Sequence, residues 1–280
     1  MTGSPARVRS AELPARALAA LAVGLTAAFV LAPGRLASGT GTDFTGESDL
    51  RTAFRAAFAT YWRSSQRDYP PALQAIVDYW FRYHLVKAVI AALLLLVLLK
   101  LALLLWKQFR TTAPEPGGTT ALLAGATVTT LLALVALVLL MANIQGAITP
   151  FASLFPLLTG DNLDPETQTV LSQINQHLSD YPNNGTTPAL EVMITDFAHY
   201  HLAMAIIAGT VAVTFVTLSA LLWKRFAATE STNRGTRRAL STFATASALL
   251  FLATAIVVSA NITNATDSPP GLAALFTGGW

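Results

Sequence analysis

Two stretches of this chain repeat each other, and that repeat constrains the fold more than any other feature. Tyr83-His84-Leu85 opens an apolar run that closes at Trp106-Lys107-Gln108-Phe109. Tyr200-His201-Leu202 opens a second that closes at Trp223-Lys224-Arg225-Phe226, 117 residues further on at every paired position. Pro71-Ala72-Leu73 and Pro188-Ala189-Leu190 keep the same offset. The next apolar run repeats as well, Ala121-Leu122 and Ala142-Asn143-Ile144 matching Ala239-Leu240 and Ala260-Asn261-Ile262 at an offset of 118. Leu and Ala coincidences mean little in apolar segments, but Tyr-His, Trp-Lys, Phe and Asn-Ile recurring in order do. The sequence predicts a duplicated two-helix membrane unit.

Composition agrees with that class. Of 280 residues, 53% are hydrophobic and 12% charged, about half the charged fraction of a soluble domain, and the mean hydropathy is +0.52. Five apolar segments, 17–33, 84–106, 120–142, 201–223 and 239–261, are each about as long as a helix needs to cross a hydrocarbon core of roughly 30 Å. Without cysteine, thiol redox chemistry, iron–sulfur clusters and disulfides are excluded. The pI of 9.4 reflects basic residues on short loops, and no basic patch on one folded face supports nucleic-acid binding.

Basic residues also set the expected orientation. The N-terminal stretch 1–16 carries Arg7, Arg9 and Arg16, and Lys107, Arg110, Lys224, Arg225, Arg234, Arg237 and Arg238 follow the second and fourth segments. Residues 143–200 hold no Lys or Arg but six carboxylates, Asp161, Asp164, Glu166, Asp180, Glu191 and Asp196. The expected topology is therefore a cytoplasmic 1–16, a membrane helix over 17–33 ending at Pro33, and an outside helical loop over 34–83. Repeat A over 84–142, a second outside loop over 143–200, repeat B over 201–261 and an outside tail over 262–280 complete it. Segment 17–33 also fits a signal peptide cleaved near Ala37-Ser38-Gly39, with an uncleaved anchor favoured.

The outer loops are patterned. Leu50, Phe54, Phe58 and Tyr61/Trp62 fall on one helical face with Arg51 and Arg55 off it. Asp164 before Pro165-Glu166 reads as N-cap and N1, followed by a stripe of Val170/Leu171, Ile174, Leu178 and Tyr181. Pro71 and Thr187-Pro188 read as starts of helices that run on into the membrane segments. The tail, with Leu272, Leu275 and Phe276, is expected to lie along the interface. Together these helices predict a small extracytoplasmic cap.

The usage of Ala, Leu, Thr and Arg, the Tyr79-Trp80-Phe81-Arg82-Tyr83-His84 run and the Ala142-Asn143-Ile144-Gln145-Gly146 run resemble a group of uncharacterised multipass integral membrane proteins of high-GC actinobacteria. The resemblance covers most of the chain. It implies a plasma-membrane location and brings no activity, cofactor or site residue. Some members carry a twin-arginine label, whereas here the pair Arg237-Arg238 is internal.

Few residues offer chemistry. The repeat-equivalent His84 and His201, with His199 and Asp196 and with Asp78 as a further carboxylate, form a candidate metal or haem ligand set. Tyr-His at a membrane boundary equally suits amphipathic rings at the interface, and His199 and His201, two apart, point to different helix faces. Lys87 and Lys100 lie inside an apolar run, within snorkelling reach of its ends. Thr210, Thr214 and Thr217 form a stripe suited to helix packing with Ala205 and Gly209, or to lining a path. Asn184-Gly185-Thr186, Asn261-Ile262-Thr263 and Asn264-Ala265-Thr266 match glycosylation sequons by chance. No phosphate loop, catalytic triad or paired catalytic carboxylates are present. The expectation is an all-α, five-span, non-enzymatic membrane scaffold or envelope-complex subunit without cofactor, meeting the lipid bilayer and a membrane or envelope protein partner through its outer loops. A small transporter or channel component, or a metal- or haem-binding redox protein, are the alternatives.

Overall fold

The computed structural model describes residues 14–39, 42–111, 118–160, 162–181 and 186–278. Arg7, Arg9, Asp161 and most of the Asn184 sequon fall outside them. Among the described residues there are nine α-helices, one 3-10 turn and no strand. Five helices are long and apolar enough to cross a membrane: α1 (Ala15–Ala37), α3 (Pro71–Thr111), α4 (Gly118–Ile148), α7 (Pro188–Ala228) and α8 (Arg234–Thr266). The chain is an all-α multipass membrane protein. Shorter helices fill the intervals: α2 (Glu47–Ser64), α5 (Pro150–Leu154), α6 (Pro165–Ser179) and α9 (Ser268–Thr277), with the 3-10 turn at Phe155–Leu158.

Boundaries follow local chemistry. Helix α7 starts at Pro188 behind Thr187, whose hydroxyl accepts from Leu190 N–H, and α3 likewise has proline, Pro71, as its first residue. Both run 41 residues, and each end of α7 lies 117 positions beyond its counterpart in α3. Helices α4 and α8 end at Ile148 and Thr266, and α5 and α9 begin two residues later. Helix α1 does not stop at Pro33 as the sequence suggests but continues to Ala37. The proline forfeits one backbone bond, a loss that membrane helices tolerate.

The chain divides into two compact units. The first, Met1–Pro33 with Val86–Leu140, has a small core of Ala22, Leu94, Leu98, Ala133 and Ala136. Its Lys87 ammonium lies 4.6 Å from the Phe29 ring centroid, while Lys100 is exposed.

The second unit, Gly34–Leu85 with Met141–Trp280, contains the larger core. Leu50, Phe54, Phe58, Tyr61 and Trp62 of α2 are buried, as the stripe predicts, and so are Val170, Leu171, Ile174 and Leu178 of α6. Tyr181 is not; it lies beyond the end of α6 and is 39% exposed. Phe151 sits among Phe58, Tyr61, Tyr69 and Phe155. Burial pushes the Tyr61 phenol up to about 12 and raises that of Tyr69. Arg51 and Arg55 lie off the stripe but are not idle. They donate to the carbonyls of Leu157 and Thr159 at the end of the 3-10 turn, which has no helical partners for them. Ion pairs Arg63–Glu166 and Arg67–Glu191 join α2 to α6 and the α2–α3 segment to α7; exposed, they add little.

Helix α9 departs from expectation. Leu272, Leu275 and Phe276 are buried in this core, Phe276 against Phe155 at 6.2 Å. Three apolar side chains at i, i+3 and i+4 gain more from a packed neighbour than from a half-wet interface.

Asp164 caps α6, its carboxylate accepting from Thr167 N–H at 2.8 Å and from the Thr167 hydroxyl at 2.7 Å. Those bonds hold its pKa below the ordinary carboxylate value. The cap is therefore fully in place above pH of about 4 and is lost as pH falls through the lowered folded value. Asp164→Ala is expected to cost about 1 kcal/mol at pH 7, read by thermal melting, and the difference from wild type should shrink in acid.

Candidate functional site

The polar residues of the second unit's long helices gather into one chain of contacts. His84, on α3, places Nδ1 3.0 Å from Asn143 Oδ1 on α4. His201, on α7, places Nδ1 2.8 Å from Asn261 Oδ1 on α8. His201 and Asn261 lie 117 and 118 positions beyond His84 and Asn143. Between them, Gln145 of α4 donates through Nε2 to the Tyr200 carbonyl of α7 at 3.0 Å. Asn143, Gln145 and His201 are each about 5% exposed or less. Three bonds thus link α3 to α4, α4 to α7 and α7 to α8.

The surroundings explain why the rings hold still. Trp80 stands edge-on to His84 at 4.7 Å, and Phe197, 117 positions beyond Trp80, meets His201 at 4.5 Å. Gly146 lets the α4 backbone approach the His84 ring: a Cβ there would lie 2.8 Å from Cγ, Cδ2 and Cε1. Below the layer, α7 and α8 pack along a seam of small residues. Ala205, Ala208, Ala212 and Ser219 are buried on α7, Ala244 and Ser247 on α8, and Ser219 donates to the Ala244 carbonyl at 2.9 Å. Small side chains bring the backbones close enough for that bond.

The tautomer of His201 follows from these bonds. Asn261 Nδ2 donates to the Val257 carbonyl at 2.9 Å, so Asn261 Oδ1 is the group facing the ring and can only accept. His201 therefore carries its hydrogen on Nδ1, and its buried Nε2 meets no hydrogen-bond partner among the described residues. A charged imidazolium would bury a second N–H without an acceptor, which burial penalises.

The remaining sequence candidates separate. Asp196 accepts from the Ala152 N–H of α5 at 3.0 Å, satisfying an orphan donor in that helix's first turn. His199 is exposed, and His177 leans on Trp62 at 5.9 Å. Among the described residues, no three His, Asp or Glu side chains converge as a metal site requires. The Thr stripe is not a packing face. Thr210 and Thr214 are exposed and donate to the carbonyls of Ile206 and Thr210 in their own helix. Comparison with protein-family models, curated proteins and solved structures finds no match to this chain.

Chemically, the layer holds helices together through hydrogen-bonding side chains. Asn143 and Asn261 are the partners that sequence reasoning missed. Their signal was present, since a His is followed by an Asn 59 residues later in one pair and 60 in the other.

Proposed function

We propose that the protein is a non-enzymatic scaffold or complex subunit of the plasma membrane. Its N-terminus is cytoplasmic, its C-terminus outside, and its α3–α4 and α7–α8 hairpins are copies of one ancestral unit. Helices α2, α5, α6 and α9, with the first turns of α3 and α7, form a cap outside the membrane that presents a surface to a membrane or envelope partner.

The observation that carries this reading is the polar layer. Its five side chains, His84, Asn143, Gln145, His201 and Asn261, are spent on joining helix to helix. Supporting it, the intervening loops fold into a core of their own, built on buried aromatic rings, which is more structure than a bare connector needs. The matched helix ends of the two hairpins support the duplication. Charge on the loops supports the orientation.

Purification in mild detergent tests the function. A stoichiometric partner, lost when the exposed face of the cap is altered, is the expected result; a chain that comes down alone and monomeric overturns it. Lys100→Gln and Thr214→Val should leave growth and uptake unchanged, because both side chains are exposed on single helices; altered uptake would favour a transport path. A redox role draws on one observation, the unpartnered Nε2 lone pair of His201, since metal-bound imidazoles commonly hydrogen-bond through their other nitrogen. Stoichiometric metal or a Soret band in the purified protein would establish it.

A further inference from the structure

The turn between α7 and α8 carries more charge than its counterpart between α3 and α4. Residues 224–241 include Lys224, Arg225, Arg234, Arg237 and Arg238 against a single acid, Glu230. In the first copy the positions matching Arg234, Arg237 and Arg238 are Pro116, Thr119 and Thr120. The hairpin itself does not require the arginines.

They surround a shallow, open surface pocket of about 230 Å³ lined by Phe226, Ser231, Arg234, Arg237, Arg238 and Ser241. Arg237 forms its fixed wall. It donates to the carbonyls of Phe226 and Thr229 at 3.0 and 2.7 Å, and its guanidinium carbon lies 4.0 Å from the Phe226 ring centroid. Arg234, Arg238 and Ser241, at i, i+4 and i+7, share one face of α8. Among the described residues, neither Arg234 nor Arg238 has a side-chain hydrogen bond or ion pair, and both are exposed. Glu230 instead accepts from Thr232. Trp223 and Phe226, in ring contact at 5.4 Å, mark the boundary level at which aromatic rings favour the headgroup region. A preference for basic loops on one side explains charge on this turn, but not three guanidiniums gathered around one pocket.

We propose that this pocket binds the phosphate of an anionic phospholipid, with Arg234 and Arg238 as its ligands and Arg237 as a positioning residue. Guanidinium forks match phosphate oxygens bidentately, and basic pockets beside membrane helices take acidic headgroups. The site needs no assumption about which side of the membrane it faces.

The test uses the full-length protein in phosphatidylcholine nanodiscs doped with phosphatidylglycerol or cardiolipin, followed by native mass spectrometry of the released chain. Wild type should retain the acidic lipid over phosphatidylcholine. Arg234→Gln with Arg238→Gln should reduce that retention by roughly twenty-fivefold, a factor of about five for each guanidinium at a charged surface. Lys107→Gln with Arg110→Gln, at the same end of the other hairpin, should leave it unchanged. Should the double variant fold poorly, Arg238→Lys, which keeps the charge but loses the fork, should show an intermediate loss. Equal retention by wild type and the Arg234/Arg238 variants overturns the proposal, as does equal loss in the Lys107/Arg110 control. Displacement of the lipid by millimolar inorganic phosphate would instead assign the site to a soluble phosphate. Both leaflets are accessible in a nanodisc, so failure here leaves the scaffold reading untouched.

Discussion

Phe58→Ala is expected to lower the stability of the α2-containing core by about 3–5 kcal/mol, the range for deleting a buried aromatic ring. Phe58 is 1% exposed and lies within 6.3 Å, centroid to centroid, of Phe54, Tyr61 and Phe151. Its contact with Phe151 joins α2 to α5, which come from different loops. Truncation therefore loses both the transfer energy of the ring and the contacts of a neighbour that cannot collapse into the space. The readout is the melting temperature in detergent together with proteolysis of the 34–70 segment. Thr60→Ala is the control. That side chain is exposed and bonds only the Ala56 carbonyl, so its removal should change nothing measurable. Equal effects from Phe58 and Thr60 would mean that α2 is not anchored through its aromatic face.

A comparably sharp result is expected at the His–Asn layer. His201→Ala leaves Asn261 Oδ1 without its donor and opens a space beside Phe197. An unmet polar group costs about 1–3 kcal/mol, and the missing ring adds to it, so a loss of about 2–4 kcal/mol is expected. Asn261→Ala should cost less, because Asn261 is only partly buried. A double-mutant cycle isolates the bond. Coupling of about 1–2 kcal/mol, the upper range for polar pairs between membrane helices, is expected. The same cycle on His84 and Asn143 should give a similar value, since the two pairs occupy matched positions at similar distances. Coupling near zero in both cycles would reduce the layer to a coincidence of neighbouring rings.

Much of this fold was legible in the residues. Proline at 71, 165 and 188 marked three helix starts, because the first turn is where a residue without an N–H costs a helix least. The buried face of α2 could be read from its spacing. The candidate site was legible only in part. His84, His201, Asn143 and Asn261 each stood out by repetition, yet a bond between side chains 59 residues apart belongs to tertiary structure. The contacts of Gln145 and Asp196 gave no signal, because their partners are backbone groups at Tyr200 and Ala152, and backbone groups look alike at every position.

The Thr stripe of α7 shows the converse error. Periodicity identifies a face but not what covers it, and a threonine that bonds the carbonyl four residues back needs no neighbouring helix. The small residues that do pack, Ala205, Ala208 and Ala212, are indistinguishable by composition from any other alanines of a membrane helix. Helix α9 was misplaced for a related reason. An amphipathic segment of ten residues suits an interface and a core equally, and only the presence of the α6 face decides between them.

The placement of the aromatic core outside the membrane is the claim on which the proposed cap depends, and the absence of native cysteine makes it directly measurable. Thr169, exposed on α6, and Thr232, exposed in the α7–α8 turn, are replaced singly by cysteine and treated in intact cells with a membrane-impermeant maleimide. The account predicts labelling at position 169 without permeabilisation and at position 232 only after it. Labelling of 232 in intact cells with protection of 169 would contradict it, placing the core in the cytoplasm.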